Sequence, residues 1–206
     1  MSVRRIYIVD DDYAVRTSLE YLLSLVADSR ITCFESGDAF LEAAPRLEPG
    51  CMLLDLHMPG TPGLGVLAAI GDIPDRFVPI VLTGEGDVSV AVQAMKLGAA
   101  DFIEKPCDHL KLIAALDAAF SHQAATRAAA QRKEQAIAML ELLSPRERDV
   151  LKGLIEGQSN KVIAHDLDIS PRTVEIYRAK LMEKLGVRSL SEALRIAFAA
   201  GLLPAD

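Results

Sequence analysis

The chain has 206 residues, half of them hydrophobic and a quarter charged, which suits one ordinary domain plus a smaller one and excludes compositional disorder. Its apolar runs fall far short of a membrane span, and the N-terminus lacks the apolar stretch of a signal peptide. Cys33, Cys51 and Cys107 form neither an even disulfide set nor a close metal-ligand spacing, so a reducing, cytoplasmic setting is expected. The net charge of −7 is unevenly placed: residues 1–122 carry −9, residues 123–140 carry +2, and residues 141–206 are neutral. Such asymmetry predicts two domains with different partners.

In chain order, residues 1–120 alternate β-rich runs with helical patterns. Strands are predicted at Arg5–Val9, Ile31–Phe34, Cys51–Leu54, Val78–Leu82 and Ala100–Ile103. Helices are predicted over Asp12–Ala27, with Val15, Leu19, Leu22, Leu23 and Val26 on one face, then from a Ser36 cap through Ala44. Further helices follow at Leu64–Ile70, at Val88–Leu97 with Gly98 as its stop, and from about Asp108. Five strand-then-helix units predict a doubly wound parallel sheet, covered on both faces. Ala114–Ala130 is dominated by alanine, which favours a helical linker, assigned to 121–141, over a floppy tether.

The last part, 142–206, carries no strand signal. Helices are predicted at Pro145–Glu156, Asn160–Leu167, Pro171–Leu185 and Leu190–Ala200. Ser144-Pro145 and Ser170-Pro171 pair an N-cap with proline at the first helical position, and Gly157, Gly186 and Gly201 stand at expected stops.

Doubly wound sheets bind ligands outside the carboxyl ends of their strands. There the pattern gathers Asp10 and Asp11 after the first strand, Asp55 after the third, Thr83 after the fourth and Lys105 after the fifth. Taken singly, Asp-Asp-Asp is a common helix cap, Asp55 a turn residue and Lys-Pro an exposed loop; their joint occurrence at the ends of four of the five strands marks a site. Three clustered carboxylates repel one another unless a cation is present, and an all-oxygen set suits Mg²⁺. A carboxylate beside such a metal can accept a phosphoryl group.

Ile8-Val9-Asp10-Asp11-Asp12, Leu54-Asp55 through Pro59-Gly60, Val81-Leu82-Thr83-Gly84 and Asp101 through Lys105-Pro106 make residues 4–120 resemble the receiver domain of a bacterial response regulator. That resemblance implies a flavodoxin-like fold, with Asp55 accepting phosphate from a sensor histidine kinase. It also implies Mg²⁺ held by Asp10, Asp11, Asp55 and the backbone carbonyl of His57. Lys105 would contact the phosphoryl group through a loop with a cis Lys105–Pro106 bond, and Thr83 and Phe102 would form the switch pair. Phosphorylation adds roughly −1.5 to −2 charges. Thr83 would then draw the Gly84-Glu85-Gly86 loop inward and let the Phe102 ring turn in, changing the surface of the fourth helix and fifth strand.

The sequence departs from the receiver pattern in two places. Pro62 and Gly65 stand where an acidic residue is usual, and Cys107, read as a small core residue rather than a redox site, replaces the common Phe. The His57 side chain is expected to point away from the site, and His109, His122 and His165 to lie on the surface.

In the helical module, Asn160–Leu167, a turn at 168–170 and Pro171–Leu185 form a helix-turn-helix pattern. Val174, Tyr177, Leu181 and Leu185 should face inward. Arg172, Ile176, Ala179 and Glu183 should face outward, flanked by Glu175 and Lys180. Ala179 permits close approach to a groove, Ile176 suits a thymine methyl, and Glu175 suits a cytosine amino group. Lys161, Thr173, Tyr177, Arg178, Lys180 and Lys184 are candidate phosphate contacts.

Leu143 to Leu151, Gly157 to Ala164 and Ser170 to Glu175 are similar to the LuxR-type DNA-binding domain; with the receiver in front, the chain resembles the FixJ subfamily of transcription regulators. The resemblance implies a regulator and not an enzyme, with the last helix contributing to dimerisation on DNA. Implied partners are a two-fold DNA operator, the kinase, a second copy when phosphorylated and, for an activator, RNA polymerase; no membrane partner is expected. One alternative is an aspartyl-phosphate phosphatase, whose nucleophile lies in Asp-x-Asp after the first strand. Asp10 and Asp12 have that spacing, without a fitting Thr or Val sequence after them. The other is a transcription factor that signals without phosphate.

Overall fold

The computed structural model describes residues 3–24, 26, 28–71, 76–84 and 88–203. Contacts divide the chain into two units, Met1–Thr126 and Arg127–Asp206.

In the first unit, strands β1 (Arg4–Val9), β2 (Ser29–Phe34), β3 (Gly50–Asp55), β4 (Phe77–Thr83) and β5 (Asp101–Glu104) pair in parallel in the order β2-β1-β3-β4-β5. Parallel strands need crossovers, supplied by α1 (Tyr13–Ser24), α2 (Gly37–Ala43), α3 (Gly63–Gly71) and α4 (Val88–Lys96); α5 (His109–Glu141) follows β5. Side chains alternate across the sheet with a period of two. Tyr7, Val9, Met52, Leu54 and Val81 bury against Phe40 of α2, Val66 and Leu67 of α3 and Ala94 of α4. Ile6, Ile8, Leu53, Ile80 and Leu82 bury on the opposite face, against Leu19 and Leu23 of α1 and Leu112, Leu116 and Ala119 of α5. Both faces being covered, β3 and β4 are buried along their whole lengths.

The doubly wound sheet is therefore as the sequence predicts, with local differences. β2 begins two residues earlier than its apolar run, because Ser29 and Arg30 join the ladder opposite Arg4 and Arg5. α2 stops at Ala43, where Pro45 tightens the chain into a 3₁₀ turn over Ala44–Arg46. α1 ends at Ser24, although Val26 still packs against its core, so the apolar face outlasts the helix. Ala27, Glu85 and Gly86, which entered the expectations for the first helix and the switch loop, lie outside the described residues.

The second unit is helical. It includes the last part of α5, then α6 (Pro145–Ile155), α7 (Asn160–Asp166), α8 (Pro171–Leu185) and α9 (Leu190–Ala199). The alanine-rich stretch is helix throughout, within α5. Ser144, Ser159, Ser170 and Ser189 each cap a helix by accepting the backbone N–H three residues on. At α6 the cap is reciprocal: Glu147 accepts the Ser144 backbone N–H at 2.8 Å, completing a capping box. Leu151, Leu181, Leu185, Ala193 and Ala197 form one apolar cluster, and Val150, Leu154, Ile163, Ala164 and Val174 a second.

Candidate functional site

The strand order reverses at β1, which places a crevice between the carboxyl ends of β1 and β3. Asp10 follows β1 and is fully buried; Asp55 ends β3 and is 5% exposed. Oxygens of Asp10, Asp11 and Asp55 all lie within 4.8 Å of one another. The Lys105 ammonium bridges the two buried carboxylates, 2.7 Å from Asp10 Oδ2 and 3.0 Å from Asp55 Oδ1. Its loop is tied to the neighbouring strand, the Lys105 N–H donating to the Thr83 carbonyl at 2.7 Å, and the Lys105–Pro106 bond is cis.

Burial pushes the Asp55 carboxyl up, as does the Asp10 charge; the hydrogen bond and charge of Lys105 and a backbone bond from His57 oppose this without cancelling it. For Lys105 burial works downward, but its bonds to Asp10 and Asp55 outweigh it and the ammonium is held above its usual range. One ammonium against three carboxylates leaves negative charge in a largely dry crevice, a costly state that a divalent cation relieves. An all-oxygen set with two buried members and one exposed fits Mg²⁺, with the exposed side open to water and substrate. Asp10, Asp11 and Asp55 are the residues that would hold it here.

The surrounding residues have distinct tasks. Asp12 is exposed, and its carboxylate accepts the Ala14 N–H at 2.7 Å in the first turn of α1, so it serves the turn and not the crevice. Arg16, absent from the sequence-based set, donates to the Asp10 carbonyl at 2.7 Å and fixes the β1–α1 turn. Its signal was weak, because an arginine in a helix's first turns reads as solvated. Thr83 is buried, its hydroxyl donating to the Gly84 carbonyl at 3.2 Å, while the Phe102 ring is half exposed. The His57, His109, His122 and His165 side chains are exposed, and Cys107 packs partly buried against the core under α1 and α5.

In the second unit α7 and α8 are joined across residues 167–170, where Asp168 takes a positive φ of 53°. Val174, Leu181 and Leu185 are buried and Tyr177 partly so, leaving Arg172, Glu175, Ile176, Ala179, Lys180 and Glu183 exposed along α8, with Lys161 exposed on α7. Three predicted contacts also have internal partners. Arg178 donates to Asn160 Oδ1 at 2.6 Å, the Thr173 hydroxyl lies 2.8 Å from that of Ser170, and Lys184 Nζ sits 2.7 Å from Glu147 Oε2. Tyr177 packs beside the Val174 cluster.

A sheet of this order with an acidic crevice and a bridging lysine, followed on one chain by a helix-turn-helix, defines the class: a receiver coupled to a DNA-binding output. Residues 6–117 match the family model of the response regulator receiver domain, and residues 141–197 that of the bacterial regulatory proteins of the luxR family. The transcriptional regulatory protein FixJ of Bradyrhizobium diazoefficiens is 47% identical over 199 residues, 96% of each chain. The crystal structure of full-length FixJ from B. japonicum covers 98% of this chain and 100% of its own, at 43% identity and a TM-score of 0.61. The response regulator StyR covers 96% and 99% respectively, at 33% identity and a TM-score of 0.81. The chain belongs to the FixJ-type response regulators, two-component proteins of DNA-binding transcription regulation. Among the described residues no helix is long and apolar enough to cross a membrane.

Proposed function

We propose that Asp55 accepts a phosphoryl group from the phosphohistidine of a sensor kinase and that this event promotes dimerisation and operator binding. The observation that carries the reading is the Lys105 ammonium shared between the buried Asp10 and Asp55 carboxylates. In the transfer, an Asp55 oxygen forms the new O–P bond while the donor's P–N bond breaks, its electron pair returning to the imidazole nitrogen. Asp10, Asp11, Asp55 and the His57 carbonyl would hold Mg²⁺, whose charge would neutralise the phosphoryl oxygens. Lys105 leaves its bridging position to meet the same oxygens, and Arg16 keeps the β1–α1 turn fixed meanwhile.

Thr83 then exchanges its bond to the Gly84 carbonyl for one to the phosphoryl group. The space it vacates receives the Phe102 ring, which lies outward in this structure. Val92 and Met95 on α4 and Leu97 just after it are exposed, as Phe102 is on β5, an apolar set suited to pairing two receivers. Two linked outputs would then engage a two-fold operator with an avidity gain, aided by contacts at α9 and, for an activator, by RNA polymerase. On DNA, α8 enters the major groove with Glu175, Ile176 and Ala179 toward base edges. Lys161, Thr173, Tyr177, Arg178, Lys180 and Lys184 take the phosphates, with Arg172 on the DNA-facing side of α8. Receiver function is assigned to 1–120 and DNA binding to 142–206, with the helical linker 121–141 between them. The test treats the full chain with Mg²⁺ and acetyl phosphate and compares phosphoryl uptake, dimerisation and DNA binding with Asp55→Asn. Wild type gains all three and the variant none; a wild type that never takes up phosphate overturns the reading.

A further inference from the structure

The loop from Leu56 to Pro62 carries the His57 carbonyl, and Pro62 at its end and Gly65 in α3 stand where the receiver pattern has an acidic residue. Leu56 and Met58 are buried on either side of His57, which anchors the near end in the core. Beyond them Pro59 and Pro62 have no N–H to offer, and the loop closes on itself through the Gly63 N–H, which donates to the Leu56 carbonyl at 3.1 Å.

The far end is tied to a different crossover. Asp38, at the start of α2, accepts the Thr61 hydroxyl at 2.6 Å on Oδ1 and the Thr61 backbone N–H at 3.1 Å on Oδ2. Two glycines let the segments approach this closely. A Cβ on Gly60, whose φ is +76°, would lie 2.3 Å from Asp38 Oδ2, and one on Gly37 would lie 2.4 Å from the Thr61 carbonyl oxygen. The hydroxyl bond and then the amide bond hold the Asp38 carboxyl below the usual carboxylate range, so it is ionised at neutral pH and both bonds are charge-assisted.

We infer that the Asp38–Thr61 clamp is a positioning device for the phosphorylation site, holding the β3–α3 loop so that the His57 carbonyl stays presented to Mg²⁺. This rests on the reading of Asp55 as phosphoacceptor and of His57 as a backbone ligand. Asp38 touches neither metal nor phosphoryl group; it acts through Thr61.

The test uses the full chain and Mg²⁺ alone, followed by amide chemical shifts of residues 55–62, with phosphoryl uptake from acetyl phosphate measured in parallel. Thr61→Val, which removes the hydroxyl bond, should raise the half-saturating Mg²⁺ concentration about five-fold, the scale of one hydrogen bond, and Asp38→Ala, which removes both, at least as much. Their combination should do no more than Asp38→Ala alone, and Thr61→Ser, which keeps the hydroxyl, should stay near wild type. Unchanged Mg²⁺ affinity in folded Asp38→Ala and Thr61→Val overturns the clamp, even if both melt at lower temperature. If Asp38→Ala does not fold, Thr61→Val and Thr61→Ser carry the same comparison. Failure of wild type to take up phosphate, or uptake by Asp55→Asn, instead overturns the Asp55 reading.

Discussion

The receiver and the helical unit use charge in opposite ways. In the receiver, Asp10 and Asp55 are buried around one ammonium, so removing or adding a charge there changes an energy that water hardly screens. In the helical unit, Arg172, Lys180 and Lys161 are exposed, and their effect on an anionic partner depends on ionic strength. The first arrangement suits a switch made by one covalent change. The second suits recognition spread over many weak contacts. The whole chain's acidity thus says little about DNA binding, since the excess negative charge lies within 1–122.

The contrast is broken most severely at Asp55. Asp55→Asn should abolish phosphoryl uptake from acetyl phosphate, read by intact-protein mass, while the helical unit's amide spectrum stays as in wild type. Uptake at the wild-type level would move the phosphoacceptor elsewhere. Next in size is Ala179→Glu, which sets a carboxylate on the exposed face of α8 against DNA. Affinity should fall by roughly 10- to 100-fold with phosphoryl uptake unchanged, checked by fluorescence anisotropy; unchanged affinity would remove α8 from the groove.

One charge in the helical unit behaves like those of the receiver. Glu147 is buried, and the Lys184 ammonium, then the Ser144 backbone N–H, hold its carboxyl below the usual range. Its contribution to folding is complete at neutral pH and is lost as pH falls through that lowered native value. Glu147→Ala should cost about 1–3 kcal/mol and flatten the acid side of the stability profile, measured by hydrogen exchange of the α6 amides. An acid limb identical to wild type would show the pair to be idle. The smallest effect is expected at Lys161: Lys161→Ala should lower the slope of log affinity against log salt by about one, and an unchanged slope would take it off the phosphates.

Much of this was legible in the sequence because the signals are local. Periodicity gave the strands and helices, Ser144-Pro145 and Ser170-Pro171 marked two helix starts, and four strand ends carried the acidic crevice. What stayed hidden depends on partners distant in sequence. Lys184 reads only as a phosphate contact until Glu147, 37 residues earlier, is brought beside it. Arg178 reads the same way until it meets Asn160, and Asp38 reads as an ordinary first-turn acid until the fold sets Thr61 against it. Helix ends were misjudged where tertiary contact, as at Val26, continues an apolar face past the last helical turn.

The central claim is that phosphate on Asp55 controls the DNA face. Its most direct measurement is the affinity of the full chain for a DNA site selected from a random pool, with and without acetyl phosphate and Mg²⁺, in wild type and Asp55→Asn. The account predicts tighter binding on phosphorylation in wild type alone. Equal affinity of phosphorylated and unphosphorylated wild type, or the same gain in Asp55→Asn, would contradict it.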